Sequence, residues 1–155
     1  MQAKTAPSFT LRPATASDAE DVANLFTLLG HATGASDVPA RLAAVQMDGG
    51  AVFLAVANHG RVLGVMSLSR HVVIHAAGPV AYITGLITLA EARGQGVGRA
   101  LVEEAKDWAR REGCVRIAVT SAEHRDDAHA FYPKCGLPYT GRRFSAAINP
   151  SGDSS

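Results

Sequence analysis

Residues 80–99 read Val80-Ala81-Tyr82-Ile83-Thr84-Gly85-Leu86-Ile87-Thr88-Leu89-Ala90-Glu91-Ala92-Arg93-Gly94-Gln95-Gly96-Val97-Gly98-Arg99. The nearly continuous apolar run predicts a strand over Val80–Leu89 that is covered on both faces. Behind it, Gly94, Gly96 and Gly98 alternate, and an amphipathic helix is expected over Val97–Arg111. Its inward face carries Leu101, Val102, Ala105, Trp108 and Ala109, and Asp107 and Arg111 are placed to pair at i, i+4. Gly113 stops the helix, and Val115–Thr120 reads as another central strand. Together these make a β-α-β unit, whose crossover should be right-handed and its strands parallel.

Towards the N-terminus, Phe9–Arg12 alternates as a short strand. Ser17 and Glu20 have the spacing of a capping box, ahead of an apolar face of Val22, Leu25, Phe26 and Leu29 that Gly30 ends. After a loop over His31–Asp37, Pro39 marks the first turn of a second helix with Val38, Leu42 and Val45 inward. Ala51–Ala57 and Arg61–Arg70 are strands joined at the turn Asn58-His59-Gly60. Towards the C-terminus, a short helix is expected over Asp126–Tyr132, ended by Pro133, and a last strand over Tyr139–Phe144. The order β-α-α-β-β-β-α-β-α-β predicts an α/β fold: one mixed sheet with helices on both faces, in a single domain of 155 residues with its ordered core near 9–145.

The bulk properties exclude several classes. A net charge of +1 shows no electrostatic footprint for nucleic acid or an anionic membrane. No apolar run reaches the ~18 residues of a membrane span. The N-terminus carries no signal-peptide core, which favours the cytoplasm. Cys114 and Cys135 have no metal or redox spacing and are expected to be reduced thiols.

The turn Arg93-Gly94-Gln95-Gly96-Val97-Gly98 carries the chemistry. Glycines opening a helix leave several backbone N–H groups aimed at one place, and the helix dipole adds positive potential there. Glycine also lets a phosphate approach the main chain closely. Arg93 and Arg99 are positioned to add charge-assisted contacts. The loop alone leaves other readings open. It also fits a purely structural turn. The dinucleotide-binding G-x-G-x-x-G spacing is not kept, and the Walker G-K-[ST] is missing.

This loop resembles the R/Q-x-x-G-x-G/A coenzyme signature of the GNAT superfamily of acyl-CoA N-acyltransferases. Ala81–Leu89 is similar to that family's central strand. Ser121–Leu137, with Ala128-His129-Ala130-Phe131-Tyr132 and Gly136, is similar to its second motif. Arg125, Asp127, His129, Phe131, Tyr132 and the closing Arg143-Phe144 resemble the aminoalkylphosphonate N-acetyltransferase branch. The resemblance implies acetyl-CoA as cosubstrate, a small-molecule primary amine as acceptor and a homodimer, with no metal, nucleic acid or membrane involved. It places the pyrophosphate on Arg93, Gly94, Gln95, Gly96, Val97, Gly98 and Arg99, with Arg125 as a further phosphate or substrate-anion contact. The pantetheine pairs with Ile87 and Thr88, and a main-chain N–H near Leu86 faces the thioester oxygen.

Aminolysis of a thioester needs a neutral amine, a polarised carbonyl and a proton for the departing thiolate. The resemblance makes Tyr132 the acid, since a phenol is ordinarily protonated at neutral pH; packing of the helix on the sheet is its other reading. Many relatives carry Glu where this chain has Thr84. A water relay, His75 or an acceptor of depressed pKa are then the candidates for removing the proton. The same substitution leaves open a non-catalytic acyl-CoA sensor, and a protein lysine or N-terminus is a further possible acceptor. His71 and His75 would stand about 13 Å apart on a strand at ~3.3 Å per residue, too far to share a metal without a bend. A metal site joining them to His124 or His129 is weighed against exposed or hydrogen-bonded histidines, which are favoured, and His129 reads either as facing the substrate cleft or as capping the short helix.

Overall fold

The computed structural model describes residues 8–119, 126–141 and 144–148. The chain forms two compact units, 1–119 and 120–155. The first holds β1 (Phe9–Pro13), α1 (Ala19–Leu29), α2 (Val38–Met47), β2 (Ala51–Ala57), β3 (Val62–His71), β4 (Val80–Thr88), α3 (Val97–Arg111) and β5 (Arg116–Val119); the second holds α4 (Asp126–Lys134). The five strands lie in sequence order in one sheet. β1 to β4 pair antiparallel, and β5 joins β4 in parallel, as the β-α-β reading required.

Alternation along the strands builds two cores. Val52, Leu54 and Val65 pack with Val22 and Leu25 of α1 and Val38 and Leu42 of α2. Phe53, Ala55 and Met66, equally buried, point to the other face, where α3 packs across β2, β3 and β4 with Leu101, Val102 and Ala105 withdrawn from water. Each large side chain so buried contributes about 1.5–3 kcal/mol.

The first helix starts earlier than the Ser17–Glu20 spacing suggests. A 3-10 turn over Ala16–Asp18 precedes α1 and is capped at Thr15. Asp18, not Glu20, reaches back, accepting the Thr15 backbone N–H at 2.8 Å. Both Asp18 oxygens also accept from the Arg12 guanidinium at 2.8 Å. That fork holds the carboxyl down at about 2, despite the opposing effect of burial. The β1 arginine decides the register, which local spacing does not reveal. Gly30, at φ +109°, ends α1 as expected.

Three further expectations change. Pro133 lies inside α4, which runs on to Lys134. Proline near a helix end forfeits one N–H bond, and the close is made by Gly136 at φ +87° and a Leu137 N–H to Tyr132 carbonyl bond of 3.0 Å. Residues 139–141 and 144 of the expected last strand are irregular, and 142–143 lie outside the described residues. Pro138 and Gly141 punctuate that stretch, and alternation makes a strand only where a neighbour completes its ladder. On α3, Asp107 pairs with Arg110 at 2.8 Å and Glu104 with Arg111 at 2.9 Å, replacing the Asp107–Arg111 pair.

Candidate active site

β4 organises the site, and it is covered less completely than its apolar run suggests. β5 pairs with it at Val80, Ala81, Tyr82 and Ile83; among the described residues the ladder ends there. Val80, Ala81 and Ile83 are buried, whereas Thr84 is exposed and Leu86, Ile87 and Thr88 are half-buried. The break coincides with a bulge. On β3, Ser67 pairs with Gly85 and the next residue, Leu68, with Ile83, so Thr84 is the extra residue. A bulge bends its strand and sharpens the local twist, here at the point where the described β5 ladder stops.

The register beyond the bulge decides which backbone groups face the open edge. Leu89 donates its N–H to the Leu63 carbonyl at 2.8 Å, so that pair is hydrogen-bonded. Antiparallel pairs alternate, so Val65–Ile87 is also a bonded pair, and Met66–Leu86 and Gly64–Thr88 are not. Leu86 and Thr88 therefore turn their N–H and C=O groups to the open side. Ile87 is committed to β3, so an added chain on that edge meets Leu86 and Thr88, and the pairing expected at Ile87 is not available to it.

The glycine turn follows directly. A 3-10 turn over Ala90–Ala92 leads into it, tied down by an Arg61–Glu91 ion pair and by Gln95 donating to the Glu91 carbonyl at 3.2 Å. Gly94 and Gly96 both adopt φ +81°, a region closed to side-chain-bearing residues without strain. Gly96 is the N-cap of α3, and its carbonyl takes the first helical N–H, from Ala100, at 3.0 Å. The amides of Val97, Gly98 and Arg99 therefore have no acceptor within the helix. A β-carbon at Gly94 or Gly96 would meet nothing within 4 Å, so the space above the turn is open. Val97, 2% exposed, anchors the helix start in the core, where Gly64 of β3 makes room for it. Arg93 and Arg99 are exposed and form no ion pair among the described residues. The result is an anion cradle beside an open strand edge.

The family model of the GNAT acetyltransferase family matches residues 21–137, which include β4, the turn and α4. The chain belongs to the GNAT acetyltransferase family. It is an acyltransferase that moves an acetyl group to an amine. The chain is 34% identical to an aminoglycoside N(6')-acetyltransferase type 1 of Stenotrophomonas maltophilia, over 92% of this chain and 95% of that one. It is 29% identical to an aminoalkylphosphonate N-acetyltransferase of Salmonella typhimurium, over 92% and 93%. An acetyltransferase of Trypanosoma brucei has the same fold, with a TM-score of 0.78 at 22% identity over 90% of this chain and 99% of that one.

For a GNAT enzyme, the face of β3 and β4 beside α1 holds polar groups that spacing alone did not single out. The Ser67 and Thr84 hydroxyls lie 2.6 Å apart. Ser69 Oγ is 2.9 Å from His71 Nε2, and the His71 ring stands edge-on to Tyr82 at 5.0 Å. Ser67, Ser69 and His71 alternate along β3 after the apolar run Val62–Met66, which was the available signal. Gly85 belongs to the same place: a β-carbon there would lie 2.6 Å from Phe26 of α1. His75 falls in the turn after β3, so the strand spacing to His71 does not apply to it.

In the second unit, Tyr132 is half-buried on α4, its ring edge-on to Phe131 at 5.2 Å. Arg125, His124 and Arg143 lie outside the described residues, as does the side chain of His129. Among the described residues no cluster of His, Cys, Asp and Glu has the makings of a metal site, and no helix is long and apolar enough to cross a membrane. Neither Cys114 nor Cys135 is in a disulfide; burial pushes the Cys114 thiol up, against the opposing charge of Arg70.

Proposed function

We propose that this enzyme takes acetyl from acetyl-CoA and delivers it to a primary amine on a small polar molecule. The amides of Val97, Gly98 and Arg99, with Arg93, Gly94, Gln95 and Gly96, hold the pyrophosphate. Leu86 and Thr88 pair with the pantetheine, the Leu86 N–H faces the thioester oxygen, and Arg125 adds a phosphate contact. The observation that carries this reading is the pair of left-handed glycines, Gly94 and Gly96, at the start of α3, beside the half of β4 that β5 does not reach among the described residues. Bound acetyl-CoA supplies the activated carbonyl. Tyr132 donates the proton that the leaving thiolate needs. The aminoglycoside and aminoalkylphosphonate acceptors in the relatives' names support a small-molecule amine here.

The test is thiol release from acetyl-CoA in the presence of aminoglycosides, aminoalkylphosphonates, polyamines, amino acids and lysine peptides. Release that depends on an aminoglycoside or aminoalkylphosphonate is expected. Tight coenzyme binding with no amine-dependent release would replace this reading with an acyl-CoA sensor, and release with peptides alone would make the acceptor a protein. A homodimer of 16.2 kDa chains in the cytoplasm accompanies the proposal. Sedimentation at monomer mass would remove the dimer.

A further inference from the structure

Acetyl transfer leaves one proton without a destination: an alkyl ammonium must lose it before attack, and Thr84 is no base near neutral pH. We propose that Ser69 takes this proton and passes it to His71. The inference rests on the acetyltransfer reading above.

Ser67, Ser69 and His71 share one face of β3 by alternation. Same-face neighbours on a strand stand roughly 6.6 Å apart, so a nitrogen midway between Ser67 and Ser69 is about 3.3 Å from each. The Ser67–Thr84 hydroxyl pair sits at the bulge, where the closed half of β4 gives way to the open half. An ammonium there lies over the residues leading to Leu86, and Ser69 is its second contact. Ser69 is half-buried and bonded to Nε2 of His71, which is exposed.

With the Ser69 O–H donating to Nε2, the proton balance closes. Ser69 Oγ accepts a proton from the ammonium as its own passes to Nε2, leaving a neutral amine and an imidazolium. The amine attacks the thioester carbon, the C–N bond forms, the C–S bond breaks, and the nitrogen gives up its second proton as the thiolate acquires one. His71 releases its proton to solvent between turnovers. Among the described residues, the Tyr82 phenol is the titratable group set against the imidazole. Arg70 points to the opposite face beside Cys114. β2 begins opposite Leu68, and α1 presents Phe26 at Gly85, the β4 partner of Ser67.

The test is the pH profile of kcat/KM with 2-aminoethylphosphonate and kanamycin as acceptors. The unaltered protein should show an acid limb where the proton acceptor of the relay becomes protonated. His71→Gln should lose that limb and fall roughly 10–100-fold in kcat/KM. Its affinity for coenzyme A by calorimetry should not change, which separates proton transfer from misfolding. Ser69→Ala should do the same, with Ser69→Thr restoring part of the rate. An unaltered acid limb in His71→Gln, or wild-type turnover in Ser69→Ala, overturns the relay. Absence of amine-dependent thiol release from the unaltered protein would sink the acetyltransfer reading and the relay with it.

Discussion

From Val80 to Ile83, β4 has a neighbour on each side and three of its four side chains buried; from Thr84 to Thr88 it has β3 alone among the described residues, and only Gly85 is buried. Both halves are rich in β-branched and apolar residues, so hydrophobicity does not distinguish them. A single extra residue at Thr84 does, together with the end of the β5 ladder at Ile83 among the described residues. One strand thus serves as core in its first half and, among the described residues, offers unpaired backbone groups in its second, where the glycine turn adds free amides. Structural cost and functional cost should separate along it.

The largest effect should be on stability in the closed half. Ile83 is 1% exposed, and Ile83→Ala should cost about 3 kcal/mol by urea denaturation. The half-buried Ile87 should lose roughly half of that when changed to Ala. Equal losses would erase the distinction between the halves.

Binding should fail next, in the turn beyond the open half. Gly96→Glu sets a side chain and a negative charge in the cradle at a left-handed position. Coenzyme A affinity should drop on the order of 100-fold, about 2.7 kcal/mol, with unfolding still cooperative. Unchanged affinity by calorimetry would show that the diphosphate lies elsewhere. Tyr132→Phe comes third: turnover should fall roughly 10–100-fold at unchanged coenzyme affinity, and wild-type turnover would remove the phenol as acid.

Two smaller effects bracket the comparison. The Asp18 carboxyl is held at about 2, below its unfolded value near ~3.9, so the bond to Arg12 contributes fully above that value and is lost as pH falls towards 2. Allowing for the exposed guanidinium, roughly 1–2 kcal/mol should disappear between pH 5 and pH 2. Asp18→Asn should flatten that part of the curve; the same acid loss in the variant would trace it to another group. Thr84→Val should change stability by less than about 0.5 kcal/mol, because the residue is exposed. A large loss would mean that the bulge itself depends on the Ser67–Thr84 bond.

The sequence by itself determined the element types and most of their limits. Val97–Arg111 stands where the helical period places it, because it has one apolar face and only one way to bury it, and Ala51–Ala57 is an apolar run between turns that fills both cores. It determined the glycine turn too, since backbone N–H groups at a helix start are set by local conformation. Tertiary structure decided what depends on a neighbour. The Thr15–Asp18 cap is selected by Arg12 from another element. The bulge at Thr84, and the assignment of Leu86 and Thr88 rather than Ile87 to the open edge, follow from the β3 register. The meeting of Ser67 with Thr84 and of His71 with Tyr82 is a cross-strand event. Local spacing fixes which way a side chain points along its own strand, but only hydrogen-bond register between strands fixes which group it meets.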